Sequence, residues 1–276
     1  MAASQADRAQ AFRALHERPG AFVIPNPWDV GTARILAGLG FEALATTSAG
    51  MAFALGRRDG GVGRDDALAH ARAIVDATPL PVSADLENGF GDAPEAVAET
   101  IRRAAGTGLI GGSIEDATGD TKRPIYDRSL AVERIAAAVE AARALPFPFT
   151  LTARAENFLH GRPDLDDTIA RLRAFEAAGA DVLYAPGLRD LGMIRTVCAA
   201  LGRPVNVLMG MAGAKLSVDD LAAAGVRRIS LGSALSRAAL GAFLRAAGEI
   251  RERGTFTFAD GAGSSAEIEP FMQGRL

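Results

Sequence analysis

The sequence predicts an α/β fold: a (β/α)8 TIM-type barrel with an N-terminal helix and a C-terminal helical extension. Three observations carry the prediction. Eight short β-type runs alternate with Ala-rich segments of helical apolar spacing along the 276 residues. Strands that alternate with helices must pair in parallel through right-handed crossovers. The length suits a closed barrel, which takes about 250 residues. The competing open, doubly wound sheet would need a G-x-G-x-x-G after the first strand, and none is present.

Taken in order, MAASQADRAQAFRALHERPG lacks the apolar centre of a signal peptide and reads as an amphipathic helix. The β-type runs follow at 21–27 (AFVIPNP), 41–48 (FEALATTS), 81–87 (PVSADLE), 111–116 (GGSIED), 149–155 (FTLTARA), 180–186 (ADVLYAP), 204–210 (PVNVLMG) and 226–232 (VRRISLG). VAETIRRAAGTG and LAVERIAAAVEAARAL are examples of the helices between them. Asp92 with Glu95, and Ser217 with Asp220, have the spacing of N-terminal capping boxes. AAG-A/V and GLG-F mark helix ends running into strands. No fixed-period sequence repeat is present. Residues 1–276 are expected to form a single barrel domain, with 254–276 a polar tail whose short apolar end docks on a partner subunit.

Composition narrows the function classes. Hydrophobic content of 49% supports a large core, and a net charge of −3 points away from nucleic acid and from anionic membranes. A lone cysteine excludes an internal disulfide framework and suits a reducing cytoplasm. That residue, Cys198 in LGMIRTVCAAL, reads as core packing. No uninterrupted apolar run approaches the roughly 20 residues of a membrane span.

Chemistry-bearing residues gather at the C-terminal strand ends, where barrels of this kind place their active sites. Strand 1 ends in Asn26, Trp28 and Asp29, and strand 2 in Thr46, Thr47 and Ser48, before a loop with Arg57, Arg58 and Asp59. Strand 3 gives Asp85 and Glu87, strand 4 Glu115 and Asp116, strand 5 Arg154, Glu156 and Asn157, strand 6 Tyr184 and strand 7 Asn206. The opposite ends are mostly Pro, Gly, Ala and Phe. The pattern predicts one acidic mouth with an arginine in it. Asp85 and Glu87 sit at i and i+2, so on a strand they share a face, an arrangement that repulsion and desolvation oppose unless a cation lies between them. Asp59, Asp85, Glu87 and Glu115 supply only oxygen, and His16, His70 and His160 fall outside the strand ends. That donor set favours Mg²⁺ or Mn²⁺ over zinc. Arg154 would face an anionic substrate, a carboxylate for preference, through its planar fork. Alternatively, Glu115–Arg154 is a structural ion pair, 57–59 a solvated loop and Trp28 a core aromatic.

At these residues the chain resembles the isocitrate lyase/phosphoenolpyruvate mutase superfamily. The resemblance runs from NPWD near 26 to RRISLGSAL near 235, through NPWDVGTARILAGLGFEALATTSAG, LGRRDGG, SADLENGFGD, GSIEDA and TARAEN. It implies a Mg²⁺ site built from Asp59, Asp85, Glu87 and Glu115, with Asp85 a direct ligand. It implies that Trp28, Ser48, Ala49 and Gly50 line the site and hold a substrate carboxylate, and that Arg154 binds the substrate oxyanion. It further implies an enolate left by cleavage of a C–C or P–C bond beside a carbonyl, and a homo-oligomer, a tetramer or dimer that exchanges C-terminal helices.

The departures matter as well. Superfamily lyases that cleave isocitrate or methylisocitrate carry a K-K/R-C-G-H loop after strand 4, but this chain has ATGDTKRPIYDRS there. Lys122 and Arg123 match the basic pair and are candidate catalytic residues; Pro124 and Tyr126 stand where Cys and His are expected. Glu87 replaces a common Asp, and Ala49 a common Gly. The expected activity is a Mg²⁺-dependent lyase cleaving a C–C bond of a small 2-oxo or 2-hydroxy di- or tricarboxylate, with Asn206 among the substrate contacts. P–C chemistry on phosphonopyruvate-like compounds and non-catalytic 2-oxo acid binding are the alternatives.

Overall fold

Eight short strands, all parallel, form one sheet in the order β1-β8-β7-β6-β5-β4-β3-β2. The computed structural model describes residues 3–273 except 212 and 214. The strands are β1 (Phe22–Ile24), β2 (Leu44–Ala45), β3 (Val82–Asp85), β4 (Gly111–Glu115), β5 (Thr150–Arg154), β6 (Val182–Tyr184), β7 (Val205–Leu208) and β8 (Arg228–Ser230). The seam between β1 and β2 is bridged by the Ala45 amide donating to the Pro25 carbonyl at 3.0 Å and by Asn26 Nδ2 donating to the Thr46 carbonyl at 3.0 Å. The sheet is thus a nearly closed (β/α)8 barrel.

The helices before and around it are α1 (Gln5–Glu17), α2 (Val30–Gly38), α3 (Ser48–Ala54), α4 (Arg64–Asp76), α5 (Pro94–Ala105), α6 (Arg128–Arg143) and α7 (Leu165–Ala177). After β6 come α8 (Leu191–Ala200), α9 (Val218–Ala223), α10 (Ala234–Arg253), a 3-10 turn (Thr257–Gly261) and α11 (Ser265–Met272). The predicted box at Ser217–Asp220 caps α9. The one expected at Asp92 does not form: α5 begins with Pro94 after Ala93, a start that proline's fixed φ favours, and Asp92 instead accepts from the Tyr126 hydroxyl at 2.5 Å. The run 41–48 yields only a two-residue strand, because Thr47 turns the chain and caps α3 through its side chain.

Strand periodicity sorts the core. Ala84, Ile114, Leu151, Ala153, Leu183, Val207 and Ile229 belong to the main apolar cluster between sheet and helices. Their neighbours one residue away face the barrel axis, and many are polar: Ser83, Ser113, Thr152, Asn206, Arg228 and Ser230. Helix α1 closes the floor. Its capping box of Ser4 and Asp7 fixes the start, and Phe12 packs with Phe22, Ile24 and Ile110. Gly111 permits that approach, since a Cβ there would stand 2.7 Å from the Thr150 carbonyl and 3.3 Å from the Phe12 ring. At the other terminus α11 lies against α2 of the same chain, where Arg34 Nη1 donates to the Met272 carbonyl at 2.7 Å.

Candidate active site

Arg154, the last residue of β5, is the centre of the mouth. Its Nη1 lies 3.0 Å from Asp85 Oδ1, Nη2 3.1 Å from Glu115 Oε2 and Nε 2.8 Å from Glu156 Oε1. Register explains part of this: Glu115 and Arg154 are paired positions on β4 and β5, and Tyr184 is paired with Arg154 on the other side, its ring centroid 5.1 Å from the guanidinium. Burial opposes the Arg154 charge, yet Glu156, Glu115 and Asp85 together hold its pKa above the ordinary range. Burial raises Glu115 well above the usual carboxylate range, with Arg154 opposing.

Glu87 is not on the strand. β3 ends at Asp85, and Glu87 sits in the following turn at φ 49°, a left-handed conformation uncommon outside glycine. Asp85 and Glu87 therefore share no strand face, and the turn brings Glu87 to the mouth instead. Asp85 Oδ1 accepts from the Glu87 amide at 3.2 Å. The turn is held from behind by Arg134, a buried α6 residue whose Nη1 donates to the Gly91 carbonyl at 2.6 Å and whose guanidinium also binds the carbonyls of Asn88 and Asp92. The Tyr126 ring stacks on it at 4.2 Å. Burial, then the charges of Asp85 and Asp59, push Glu87 up to about 7. Its Oε1 is buried without a hydrogen-bond partner.

That orphaned oxygen tests the fit of a cation. Beside Asp59, Asp85 and Glu115 it offers a hard, oxygen-only environment suited to Mg²⁺ or Mn²⁺. Among the described residues no three His, Cys, Asp or Glu side chains are arranged to cage an ion directly. The donor set therefore fits an ion that keeps several waters and takes one or two carboxylates, as Mg²⁺ usually does.

Two cavities meet here. The outer one, about 830 Å³, is lined by Ser48, Asp59, Glu87, Glu115, Arg154 and His160 among others. The inner one, about 180 Å³, runs into the barrel past Ser48, Ala49, Asp85 and Arg154 to Asn206 and Arg228. Of the residues expected from sequence, Ser48, Ala49, Asp59, Asp85, Glu87, Glu115, Arg154 and Asn206 thus converge. Trp28 and Gly50 stand behind the wall: Gly50 is buried, and a Cβ on it would meet Thr47 Cγ2 at 2.6 Å and Trp28 Cβ at 2.9 Å. Lys122 and Arg123 are not brought to the mouth. Both are exposed on the loop closed by the Ala117–Ile125 bridge, with Arg123 only 3.9 Å from Asp120 and otherwise in solvent. The loop's Thr118 and Gly119 line the outer cavity instead.

His160 and Arg228 also line the two cavities. His160 lies outside the strand ends, but the 156–162 turn after β5 returns it to the outer cavity, with the Arg162 amide donating to the Asn157 carbonyl at 2.9 Å. Arg228 was readable as a charged residue in the β-type run VRRISLG, where alternation puts it on the face opposite Ile229. A second buried network supports the mouth. Asp116 accepts from the Glu156 amide at 2.8 Å and from Arg171 Nη1 at 3.0 Å, and Arg171 Nε lies 2.8 Å from Asp167.

Comparison with known proteins agrees with this architecture. A crystal structure of a Burkholderia cenocepacia J2315 protein is 66% identical, with TM-score 0.95, covering 97% of this chain and 96% of that one. The 2-methylisocitrate lyase of Salmonella typhimurium is 31% identical, over 79% of this chain and 76% of its own length. Oxaloacetate acetylhydrolase, solved with the product oxalate, is 27% identical with TM-score 0.86, covering 97% of this chain and 94% of that one. The profile of the phosphoenolpyruvate phosphomutase family matches residues 12–251, and the chain belongs to that family, within the isocitrate lyase/phosphoenolpyruvate mutase superfamily.

Proposed function

We propose that this protein is a Mg²⁺- or Mn²⁺-dependent lyase that cleaves a C–C bond of a small 2-oxo or 2-hydroxy di- or tricarboxylate, of oxaloacetate or methylisocitrate type. The observation that carries the reading is the Arg154 fork, held by three carboxylates beside a buried, unpartnered Glu87 oxygen. The bound cation would polarise the substrate's 2-oxo or 2-hydroxy oxygen and offset the clustered acids. Asp59, Asp85, Glu87 and Glu115 would hold it, directly or through water. Arg154 binds the substrate oxygen on which enolate charge develops, where electrostatic stabilisation counts most. Asp85, Glu115 and Glu156 hold that guanidinium in place beforehand, so little reorganisation is needed at the moment of reaction. Ser48, Ala49 and Asn206 form the wall against which the carboxylate end is fixed. Trp28 and Gly50 shape that wall from behind. Lys122 and Arg123 enter the reaction only through a movement of the 117–127 loop.

P–C cleavage is the second reading, favoured by the family profile. A phosphonate calls for more cationic contacts than a carboxylate. At the mouth Arg154 is shared among three acids, and Arg57 pairs with Asp66 at the surface, so neither is a free cation for a phosphonate. The expected setting is cytoplasmic, with no nucleic-acid partner; no helix among the described residues is long and apolar enough to cross a membrane. The expected assembly is a homo-oligomer through the C-terminal helices.

The test is product release by the purified protein with Mg²⁺, with EDTA as control, from oxaloacetate, isocitrate, methylisocitrate and phosphonopyruvate. EDTA-sensitive pyruvate or glyoxylate from a carboxylate supports the reading. Turnover of phosphonopyruvate alone replaces it with P–C chemistry. Silence across the panel, with 2-oxo acids still raising the melting temperature, leaves a binder.

A further inference from the structure

Arg228 opens β8 with its side chain inside the barrel, 5% exposed. Nε donates to Asn206 Oδ1 at 2.9 Å, and Nη2 donates to Thr152 Oγ1 at 2.8 Å. Nη1 faces His16 Nε2 at 3.4 Å. His16 Nδ1 lies 2.9 Å from the Phe12 carbonyl, so that nitrogen carries the proton and Nε2 turns its lone pair to the arginine. All three partners are neutral. Among the described residues Arg228 enters no ion pair, whereas Arg154 enters three. A buried charge without a counter-ion is costly, and proteins retain one where a ligand supplies the missing charge. Burial pushes Arg228 down to about 10, with no carboxylate to hold it up.

The inner cavity gives that ligand a route. At about 180 Å³ it has room for a few waters, each taking about 30 Å³ in the liquid, or for one short carboxylate-bearing arm. Arg154 stands at its mouth and Arg228 at its floor. Asn206 and Ser230 lie between, and Asn206 Nδ2 donates to Ser230 Oγ at 2.9 Å. Arg228 thereby fixes the Asn206 amide with its oxygen towards the guanidinium and its nitrogen towards Ser230. One end of a substrate can engage Arg154 while an anionic arm reaches down towards a cation otherwise unmatched.

We propose that Arg228 is a specificity-determining residue: with Asn206 it receives a second carboxylate of the substrate inside the barrel and selects dicarboxylates over monocarboxylates. This rests on the lyase reading above and adds to it the group that recognises the distal carboxylate. The test measures binding of malate and lactate, which share a 2-hydroxy acid head and differ by one carboxylate, calorimetrically with Mg²⁺ present. Wild-type protein should bind malate at least about tenfold more tightly than lactate, and R228Q should reduce that ratio to about twofold. Selectivity that survives in R228Q overturns the proposal. Equal binding of the two by wild type overturns it while leaving the lyase reading in place. Binding of neither overturns it as well, and the release assay decides the lyase reading separately. Stabilisation of wild type by chloride or phosphate without preference for malate shows a free-anion site and also overturns it. Should R228Q fail to fold, T152D places a carboxylate beside Arg228 at a position outside the substrate wall. It should raise the melting temperature without ligand, keep lactate binding and lose the preference for malate; a retained preference overturns the proposal.

Discussion

Glu115 and Arg154 are register partners on adjacent strands, and their side chains meet at the top of the barrel with Nη2 3.1 Å from Oε2. A pair fixed by sheet register keeps its place whatever the loops above it do. Arg154 presents three nitrogens to three acids, and only a planar fork can meet all of them.

Arg154→Lys should therefore lower kcat/KM by about 100-fold or more with the fold retained. An ammonium keeps the charge but abandons at least one charge-assisted hydrogen bond, each worth about 1.5–3 kcal/mol. Steady-state kinetics on the substrate found by the release assay, with circular dichroism alongside, decide the matter. A kcat/KM within twofold of wild type would make the Glu115–Arg154 pair structural.

Asp85→Ala should abolish Mg²⁺-dependent ligand binding. Asp85 joins β3 to the turn and to α3: besides Arg154, its oxygens accept from the Glu87 amide at 3.2 Å and the Ser48 amide at 3.3 Å. The β3 backbone ladder does not depend on the side chain, so the variant should fold with a modest loss of melting temperature. Calorimetric titration with oxalate, with and without Mg²⁺, reads the effect. Unchanged Mg²⁺-dependent affinity would remove Asp85 from the cation site.

Metal-stripped protein should gain stability on acidification from pH 7.5 to 5.5. Glu87 has its carboxyl raised from 4.5 to about 7 by burial and by Asp85 and Asp59. The sign follows from linkage. A carboxyl raised in the folded state contributes stability that is complete below about pH 4.5 and lost as pH rises through about 7. The upper bound is about 3 kcal/mol, from about 1.4 kcal/mol per unit. Urea unfolding in EDTA at several pH values measures it, and Glu87→Gln should reduce the slope, leaving the part that the raised Glu115 contributes in the same direction. A stability that falls on acidification in EDTA would contradict the environment assigned to Glu87.

Much of this was legible in the sequence because strand–helix alternation and barrel chemistry both leave local marks. Asp85, Glu115 and Arg154 lie at strand ends, where position along the chain is nearly position in the site. Alternation puts Glu87 at the mouth as a strand residue, whereas a left-handed turn carries it there, and such a turn is not visible in a run that alternates like a strand. Motif spacing draws Lys122 and Arg123 into the candidate set, but both are exposed on the loop that the Ala117–Ile125 bridge closes. His160 and Arg228 depend on where a turn returns and on what a strand faces across the barrel. Those are tertiary facts: the side-chain partners of Arg228, which are Asn206, Thr152 and His16, all lie far from it in the chain.

Helix α10 runs for 20 residues, yet Ser236 and Glu249 are its only buried ones. Leu240, Phe243, Leu244 and Ile250 fall on one helical face, and Phe243 and Leu244 are 66% and 68% exposed. An isolated chain leaves that stripe in water, where each large apolar side chain forgoes about 1.5–3 kcal/mol of burial. Phe256, 65% exposed just beyond the helix, extends the same apolar surface. The wild-type protein should therefore sediment as a homo-oligomer, and the double variant Phe243→Ser/Leu244→Ser should shift towards monomer. Because neither residue lines the inner or the outer cavity, the variant should still bind Mg²⁺ and oxalate. Sedimentation velocity at several concentrations gives the answer: a wild-type monomer throughout the micromolar range would leave α10 without a second copy, and an unchanged oligomer in the variant would move the interface elsewhere.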